Sequence, residues 1–366
     1  MGAAFVGELP AGIHATMTNP DATGGGLRAA LAAGRFVFTA EIGPPRGSDP
    51  DSVTRKAALL RGWVDAANVT DNQGARVRMS SLGGSVLTQR AGVEPVMQLT
   101  CRHRNRIALQ SDLLAAGALG IPNVLLLTGD HPRFGDHPGA KPVLDLDGVE
   151  LTWAARTLRD EGVLANGQRL SSSPNWFIGT VANPFAPPRQ SRARRLVEKV
   201  AAGAEFVQTQ YVFDVELFER WMAEITALGV TEWCAVIAGV GPVRSLRELE
   251  FLRGGLPGIH VPEHVVRRLR GVPSDRVRRE GVDLCVETIQ RLRTVQGVAG
   301  VHVMAFGFER GVPDIVRRGS EGPGLRPAGR PAPVAPAPVA PAPVAPAPMR
   351  NPLVTTSSQE GSVHAG

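Results

Sequence analysis

Residues 94–129 read EPVMQLTCRHRNRIALQSDLLAAGALGIPNVLLLTG, and this stretch sets the pattern for most of the chain. The short apolar runs at 94–100 and 123–129 predict two buried strands. Between them, apolar residues recur every three or four positions over 106–120, which predicts an amphipathic helix that ends at Gly120. A strand, a helix and a second strand in this order predict parallel strands joined by a right-handed crossover.

The same alternation extends in both directions along the chain. Six further runs predict strands: FVFTAEI (36–42), VDAANVT (64–70), NWFIGTVAN (175–183), FVQTQYVF (206–213), CAVIAGV (234–240) and GVHVMAF (300–306). Helical patterns at 192–205 and 281–296 lie between them. Eight such units over about 270 residues predict an α/β fold of the (β/α)8 TIM-barrel type. An open doubly wound sheet is the alternative, but EIGPPRG follows the first strand where that fold normally carries GxGxxG.

Composition divides the chain into three parts. Residues 1–33 are rich in Gly, Ala and Thr and predict an N-terminal extension, and residues 34–320 form the predicted barrel. From 321 the composition changes, and 331–348 read PAPVAPAPVAPAPVAPAP, a repeat that favours polyproline II and cannot bury a core. We expect a disordered tail that acts as a spacer, with a ligand for a proline-binding domain as the alternative.

The overall composition is that of a soluble globular protein. With 43% hydrophobic and 20% charged residues the chain is typical of globular proteins, and no run approaches the ~18 apolar residues of a membrane span. The N-terminus lacks the pattern of a secretory signal, so we expect a cytoplasmic protein. The net charge of +6 suits an anionic ligand but is too diffuse to indicate nucleic acid. Neither the three cysteines nor the loop from His131 to His137 has the spacing of a metal site.

Polar residues at the predicted strand ends are the first candidates for a site, because barrel active sites lie there. Glu41 interrupts an apolar strand, where a carboxylate is costly unless it is paired or used; a salt bridge to a neighbour is the alternative. Asp130 follows Gly129 at the end of the fourth strand, and capping the next helix is its alternative. Gln210 lies beside Tyr211, the only tyrosine; an amide bonded to nearby backbone is the alternative.

A basic run, Thr100-Cys101-Arg102-His103-Arg104-Asn105-Arg106, opens the helix of the first stretch. Three arginines beside the free N–H groups of a helix N-terminus predict an anion site that suits a cofactor phosphate. The alternative is an exposed basic turn.

In order and placement, five strand-end motifs resemble those of the methylenetetrahydrofolate reductase family. They are TAEIGPP (39–45), NVTDNQ (68–73), QLTCR (98–102), LLLTGDHP (125–132) and QTQYVFD (208–214). The likeness runs from about residue 34 to about residue 310, and it is greatest to the reductases of bacterial one-carbon pathways.

The resemblance implies a barrel in which a flavin is reduced by NAD(P)H and passes a hydride to methylenetetrahydrofolate, giving 5-methyltetrahydrofolate. It implies that Glu41, with a raised pKa, is the general acid that helps to open the folate's five-membered ring. It places Asp130 against the flavin and pterin rings, and Gln210, next to Tyr211, against the folate. It places four further residues near the flavin: Thr70, Gly129, Asn183 and Lys199.

The chain departs from the family pattern in two places. Gln98 stands where some members have His, and the segment after the fifth strand, with Phe185, Arg192 and Arg195, differs from the segment that holds the adenosine half of FAD. FAD, FMN and a flavin-free route from NADH to folate therefore stay open. So do a role as a folate- or flavin-binding subunit of a larger complex, a different flavin-linked barrel enzyme, and assembly as a homo-oligomer or with a partner subunit.

Overall fold

A computed structural model describes residues 26–254 and 258–321. Its eight strands are all parallel and pair in sequence order, and the first strand closes on the last to form a barrel. The strands are β1 (Val37–Ile42), β2 (Ala66–Val69), β3 (Pro95–Thr100), β4 (Asn123–Leu127), β5 (Phe177–Ala182), β6 (Phe206–Tyr211), β7 (Ala235–Val240) and β8 (Val298–Val303). The (β/α)8 prediction is confirmed.

Helices surround the barrel and connect its strands. They are α1 (Leu27–Ala32), α2 (Asp51–Leu60), α3 (Ser81–Arg90), α4 (Arg106–Ala118), α5 (Gly148–Arg156), α6 (Arg192–Ala201), α7 (Val215–Ala227), α8 (Val230–Trp233), α9 (Leu246–Gly254), α10 (Glu263–Arg270), α11 (Val277–Leu292) and α12 (Val312–Ser320). Gly120, Gly203 and Gly297 all have positive φ, as glycines beyond helix ends commonly do.

Every apolar run that predicted a strand contains one, although β8 is shifted. The sequence predicted a strand over 300–306, but β8 ends at Val303 and its pairing with β7 is irregular near Val236. Phe306 has a φ of 34° and lies in the loop that follows, because a left-handed residue cannot continue a strand.

Alternate residues of each strand point into the barrel. Toward the amino-terminal ends of the strands, these inward residues are apolar. Val37, Val96, Leu125, Phe177 and Phe206 fill the interior there. Leu27 and Leu31 of α1 belong to the same cluster, so α1 covers the amino-terminal end of the barrel. The sequence analysis placed residues 26–33 outside the barrel, and that boundary was wrong: a short helix with two buried leucines is part of the core.

Three other expectations concern the rest of the chain. The predicted extension over 1–25 and the proline-rich tail from 322 lie outside the described residues. Among the described helices, none has the length and apolar character needed to cross a membrane. The described residues also contain no group of three or more His, Cys, Asp or Glu side chains that could hold a metal ion, and the three cysteines are buried and form no disulfide.

Candidate active site

Glu41 lies on the inner face of β1 at the carboxyl end of the barrel. Its side chain is 8% exposed, and burial raises its pKa from 4.5 to about 7, partly offset by a hydrogen bond from Gln73 and increased by the nearby Glu309. Gln73 Nε2 donates to Glu41 Oε2 over 3.4 Å. Glu41 forms no ion pair with any described residue, so the salt-bridge alternative is wrong and no cation within the described chain compensates its charge.

The turn that carries Gln73 is tightly shaped. Asn72, Gly74 and Ala75 have positive φ values of 49°, 64° and 58°, a conformation that costs energy at Asn72 and Ala75. Asn72 Oδ1 stabilises the turn by accepting a hydrogen bond from the backbone N–H of Arg78, at 2.9 Å. The sequence analysis did not identify Gln73, because its contact with Glu41 depends on this turn.

Beneath Glu41, four buried polar side chains from four strands form a continuous network. Gln208 Nε2 donates to Asn68 Oδ1 at 3.1 Å and to Thr39 Oγ1 at 3.2 Å, and Asn68 Nδ2 donates to Gln208 Oε1 at 2.5 Å. Thr39 Oγ1 is 3.0 Å from His302 Nδ1, and burial lowers the pKa of His302 to about 3, so its ring is neutral. The network forms a rigid floor for the mouth of the barrel.

Two predicted residues at this mouth have polar groups without a protein partner. The Thr70 hydroxyl directly after β2 is buried, and no described residue is within hydrogen-bond distance of it. Gln98 on β3 lies two residues beyond Val96, which points into the barrel, so its side chain also points inward. It is half-buried and forms no hydrogen bond with the described part of the chain. Contacts of Thr70 and Gln98 with a cofactor stay predictions.

The loop after β4 brings Asp130 to the rim. Gly129 has a φ of 85°, and a side chain there would lie 3.0 Å from Thr100 Cβ, so glycine is needed. The Asp130 carboxylate is exposed and forms no hydrogen bond or ion pair with the described residues. The helix-cap alternative is wrong, because α5 begins much later and is capped by Asp147.

Gln210 and Tyr211 at the end of β6 are positioned mainly by the protein itself. Gln210 Oε1 accepts a hydrogen bond from the Tyr211 backbone N–H at 3.0 Å, as the alternative of an amide bonded to nearby backbone predicted. The NH2 group of the Gln210 amide takes no part in this contact. The Tyr211 hydroxyl donates to the Met304 carbonyl at 3.0 Å, and its ring stacks on Phe213. A substrate contact by either residue stays a prediction, and Tyr211 would need to move to make one through its hydroxyl.

The predicted anion site in the basic run stays a prediction that the structure does not favour, because the protein's own groups occupy most of its donors. Arg104 donates to both Asp71 carboxylate oxygens, at 2.6 and 3.2 Å, and Arg106 forms a bidentate salt bridge with Asp145. The Asn105 side chain accepts from two N–H groups at the start of α4, and Asp145 accepts from a third. These arginines hold loops together, and the N–H groups at the start of α4 are already paired.

Arg102 is 3% exposed and joins two loops of the mouth. Its guanidinium donates to the backbone carbonyls of Asp71, Asn72 and Asp130, at 3.2, 3.1 and 3.4 Å. It thereby connects the turn that carries Gln73 with the loop that carries Asp130. A cofactor contact by Arg102 stays a prediction that this arrangement does not favour.

The last two predicted cofactor residues lie on the β5 side. Asn183 directly follows β5 and is half-buried. Lys199 on α6 donates to the Val181 carbonyl at 2.6 Å, and burial lowers its pKa to about 8. Contacts of these two residues with a cofactor stay predictions.

A closed parallel barrel with a buried, unpaired carboxyl group at its carboxyl end is the architecture of a barrel enzyme. The comparison with known sequences identifies the family. The sequence model for methylenetetrahydrofolate reductase matches residues 26–319, and the chain belongs to that family.

Relatives with established names are distant. A "probable methylenetetrahydrofolate reductase (NADPH)" of Caenorhabditis elegans is 24% identical, over 76% of this chain and 42% of that protein, so the chain spans less than half of that relative. A 5,10-methylenetetrahydrofolate reductase of Pectobacterium carotovorum is 25% identical, over 74% of this chain and 85% of its own length. A solved Clostridium thermocellum protein described as binding two copies of 5-methyl-5,6,7,8-tetrahydrofolic acid has a TM-score of 0.55 at 12% identity, covering 80% of this chain and 97% of its own. That likeness concerns the fold.

Proposed function

We propose that this chain reduces the methylene group of 5,10-methylenetetrahydrofolate to the methyl group of 5-methyltetrahydrofolate, with NAD(P)H as the source of the hydride. Family membership supports the reaction. The single structural observation that carries it is the buried Glu41 carboxyl group, whose pKa is raised and which forms no ion pair with a described residue. The reaction consumes one hydride and one proton, and Glu41 is a carboxyl group that is substantially protonated near neutral pH.

Glu41 acts as the general acid. The methylene carbon is held between two nitrogens in a five-membered ring, and it accepts a hydride only after one carbon–nitrogen bond opens. Glu41 gives its proton to the departing nitrogen, the resulting iminium accepts the hydride at carbon, and solvent reprotonates the carboxylate. A pKa near the working pH lets one group both give and regain the proton efficiently.

Asp130, Gln98 and Gln210 orient the substrate around this acid. The unpaired Asp130 carboxylate accepts hydrogen bonds from the N–H groups of the pterin, and its negative charge stabilises the cationic iminium. Gln98 offers an amide with no protein partner, and Gln210 offers the NH2 half of its amide. Arg102 keeps the Asp130 loop and the Gln73 turn at a fixed separation.

The ring end of a flavin suits this mouth, because the buried Thr70 hydroxyl has no hydrogen-bond partner among the described residues. A bound flavin would supply a two-electron carrier between NAD(P)H and the folate. The residues that would hold it are Thr70, Gly129, Asp130, Asn183 and Lys199.

A flavin-free reductase, in which the folate receives the hydride directly from the nicotinamide, is the second candidate. One observation favours it: Arg102 of the predicted phosphate site, Lys199 among the predicted flavin residues, and Arg192 after the fifth strand all donate to backbone carbonyls. Arg102 donates to three backbone carbonyls, Lys199 to the Val181 carbonyl, and Arg192 to the carbonyls of Ala186 and Pro187. These three cations are engaged by the protein's own carbonyls and are less available to a flavin phosphate.

One experiment tests the reaction and separates the two routes. The purified chain is examined for visible flavin absorbance, and its acid-released small molecules are identified by mass. Methylenetetrahydrofolate reduction by NADH and by NADPH is then measured for the unaltered chain, for Glu41→Gln and for Glu219→Gln, which removes an exposed carboxylate of α7.

We expect turnover by the unaltered chain and by Glu219→Gln, and none by Glu41→Gln. Turnover by a colourless chain would establish direct transfer. If a flavin is present, NADH should still bleach it in Glu41→Gln; equal loss of both half-reactions would contradict the role of Glu41. Folate binding without turnover by the unaltered chain would refute the reductase and favour a binding subunit.

A further inference from the structure

The loop after β4 presents an aromatic ring to solvent at the rim of the barrel mouth. Phe134 ends a short 3-10 turn, Pro132–Phe134, only four residues after Asp130, and its side chain is 61% exposed. A single exposed aromatic side chain is ordinary by itself. Here the turn is fixed in place and one face of the ring is already occupied by a cation.

The turn is pinned to the neighbouring turn that carries Gln73. Gly135 packs so closely on Ala75 that a side chain would lie 1.8 Å from the Ala75 carbonyl oxygen. The backbone N–H of Val77 donates to both Asp136 carboxylate oxygens, at 3.1 and 3.2 Å. Because Gln73 bonds Glu41, these contacts hold Phe134 at a fixed position relative to the acid. The exposed side chain of Val77 lies on the same pair of turns.

A cation lies directly beside the ring. The Arg133 guanidinium lies 4.6 Å from the centre of the Phe134 ring, and the His131 side chain accepts a hydrogen bond from the Arg133 N–H at 3.2 Å. Arg133, and Arg76 next to the Gln73 turn, are exposed and form no ion pair with any residue that the structure describes, whereas Asp136 is paired with Arg46 and His137. An open aromatic face beside unpaired cations suits a planar ring that carries negative charge.

We propose that Phe134 and Arg133 form a stacking subsite for an aromatic ring with an attached anionic group, which belongs to one of the two molecules that react at Glu41. This subsite rests on the proposed function, because that function defines the two reactants. Both reactants, the nicotinamide dinucleotide and the folate, carry an aromatic ring with an anionic group at the end remote from the reacting atoms. The reduced nicotinamide dinucleotide carries adenine with a diphosphate, and the folate carries an aminobenzoyl ring with glutamate carboxylates. Phe134 stacks on the ring, and Arg133 attracts the anionic group.

Binding of two fragments, measured by calorimetry, tests the subsite without requiring turnover. Adenosine diphosphate represents the dinucleotide, and p-aminobenzoylglutamate represents the folate. The variants are Phe134→Ala, Arg133→Gln and, as a matched control, Trp63→Ala. Trp63 is 42% exposed and precedes β2, so it lies at the opposite end of the barrel.

We expect one fragment to bind the unaltered chain and Phe134→Ala to weaken that binding about tenfold, as loss of a stacking partner does. Arg133→Gln should weaken it and reduce its salt dependence, and Trp63→Ala should leave it unchanged. The fragment affected identifies the molecule. The subsite is refuted if neither fragment binds, or if Phe134→Ala changes no affinity. Binding that depends on Phe134 in a chain without reductase activity would refute the proposed function and leave the subsite intact.

Discussion

Replacing Glu41 by Gln is expected to stabilise the fold at alkaline pH while it removes the proposed activity. In the unfolded chain the carboxyl group ionises with a pKa near 4.5, and in the folded chain burial raises that pKa to about 7. The stability that this group contributes is therefore complete below pH 4.5 and is lost as the pH rises through 7. The gap between the two values corresponds to about 3 kcal/mol, at 1.36 kcal/mol per pKa unit. Gln has similar volume and no charge to bury.

Urea unfolding followed by circular dichroism, at pH values from 5 to 8.5, measures this effect. The free energy of unfolding of Glu41→Gln minus that of the unaltered chain should be lowest at pH 5 and should rise by about 2 to 3 kcal/mol by pH 8. Glu219→Gln, at an exposed site, should show no such trend. A difference that does not change with pH would mean that Glu41 ionises normally, and the general-acid assignment would lose its basis.

Three further outcomes follow from contacts at the mouth. Gln73→Leu removes the hydrogen bond that lowers the pKa of Glu41, so the alkaline limb of the pH dependence of kcat/KM should move to higher pH; an unmoved limb would show that the contact is absent in solution. Arg102→Met leaves three backbone carbonyls without their donor, and urea unfolding should show a loss of about 1–3 kcal/mol; an unchanged midpoint would mean that Arg102 does not join the loops. Deleting residues 322–366 should leave turnover unchanged, because the family match ends at 319; a large loss would refute the spacer interpretation.

The sequence was sufficient for the barrel because its fold depends on repetition. Eight apolar runs separated by amphipathic helices have few other arrangements, and each run contains an observed strand. The errors fell where repetition ends. The segment 26–33 is too short to show a helical period, so the buried positions of Leu27 and Leu31 were not recognised. The end of β8 depends on the left-handed backbone of Phe306, which nothing in the run GVHVMAF indicates.

Within the site, the sequence indicated candidate residues better than it indicated the hydrogen-bond partners of those residues. Glu41 and Asp130 became candidates because a carboxylate at the end of a barrel strand is unusual in itself. The polar floor was missed, although Thr39, Asn68, Gln208 and His302 occupy inward positions of their strands. Each looked like an isolated polar residue in an apolar run, and only closure of the barrel makes them neighbours.

Glu41 and Arg102 show why charged residues are the hardest to interpret from sequence. Both are buried, and burial of a charge is costly unless the protein compensates it. Three backbone carbonyls surround Arg102, so its charge is held in place and its role is to join loops. Glu41 receives one long hydrogen bond and faces Glu309, so its charge is not compensated and the group takes up a proton instead. The balance of partners decides which buried charge is structural and which is reactive. Gln73 and the carbonyls that bind Arg102 lie on turns around Asn72 and Gly129, whose positive φ values bring distant segments together, and a linear pattern of residue types does not encode that geometry directly.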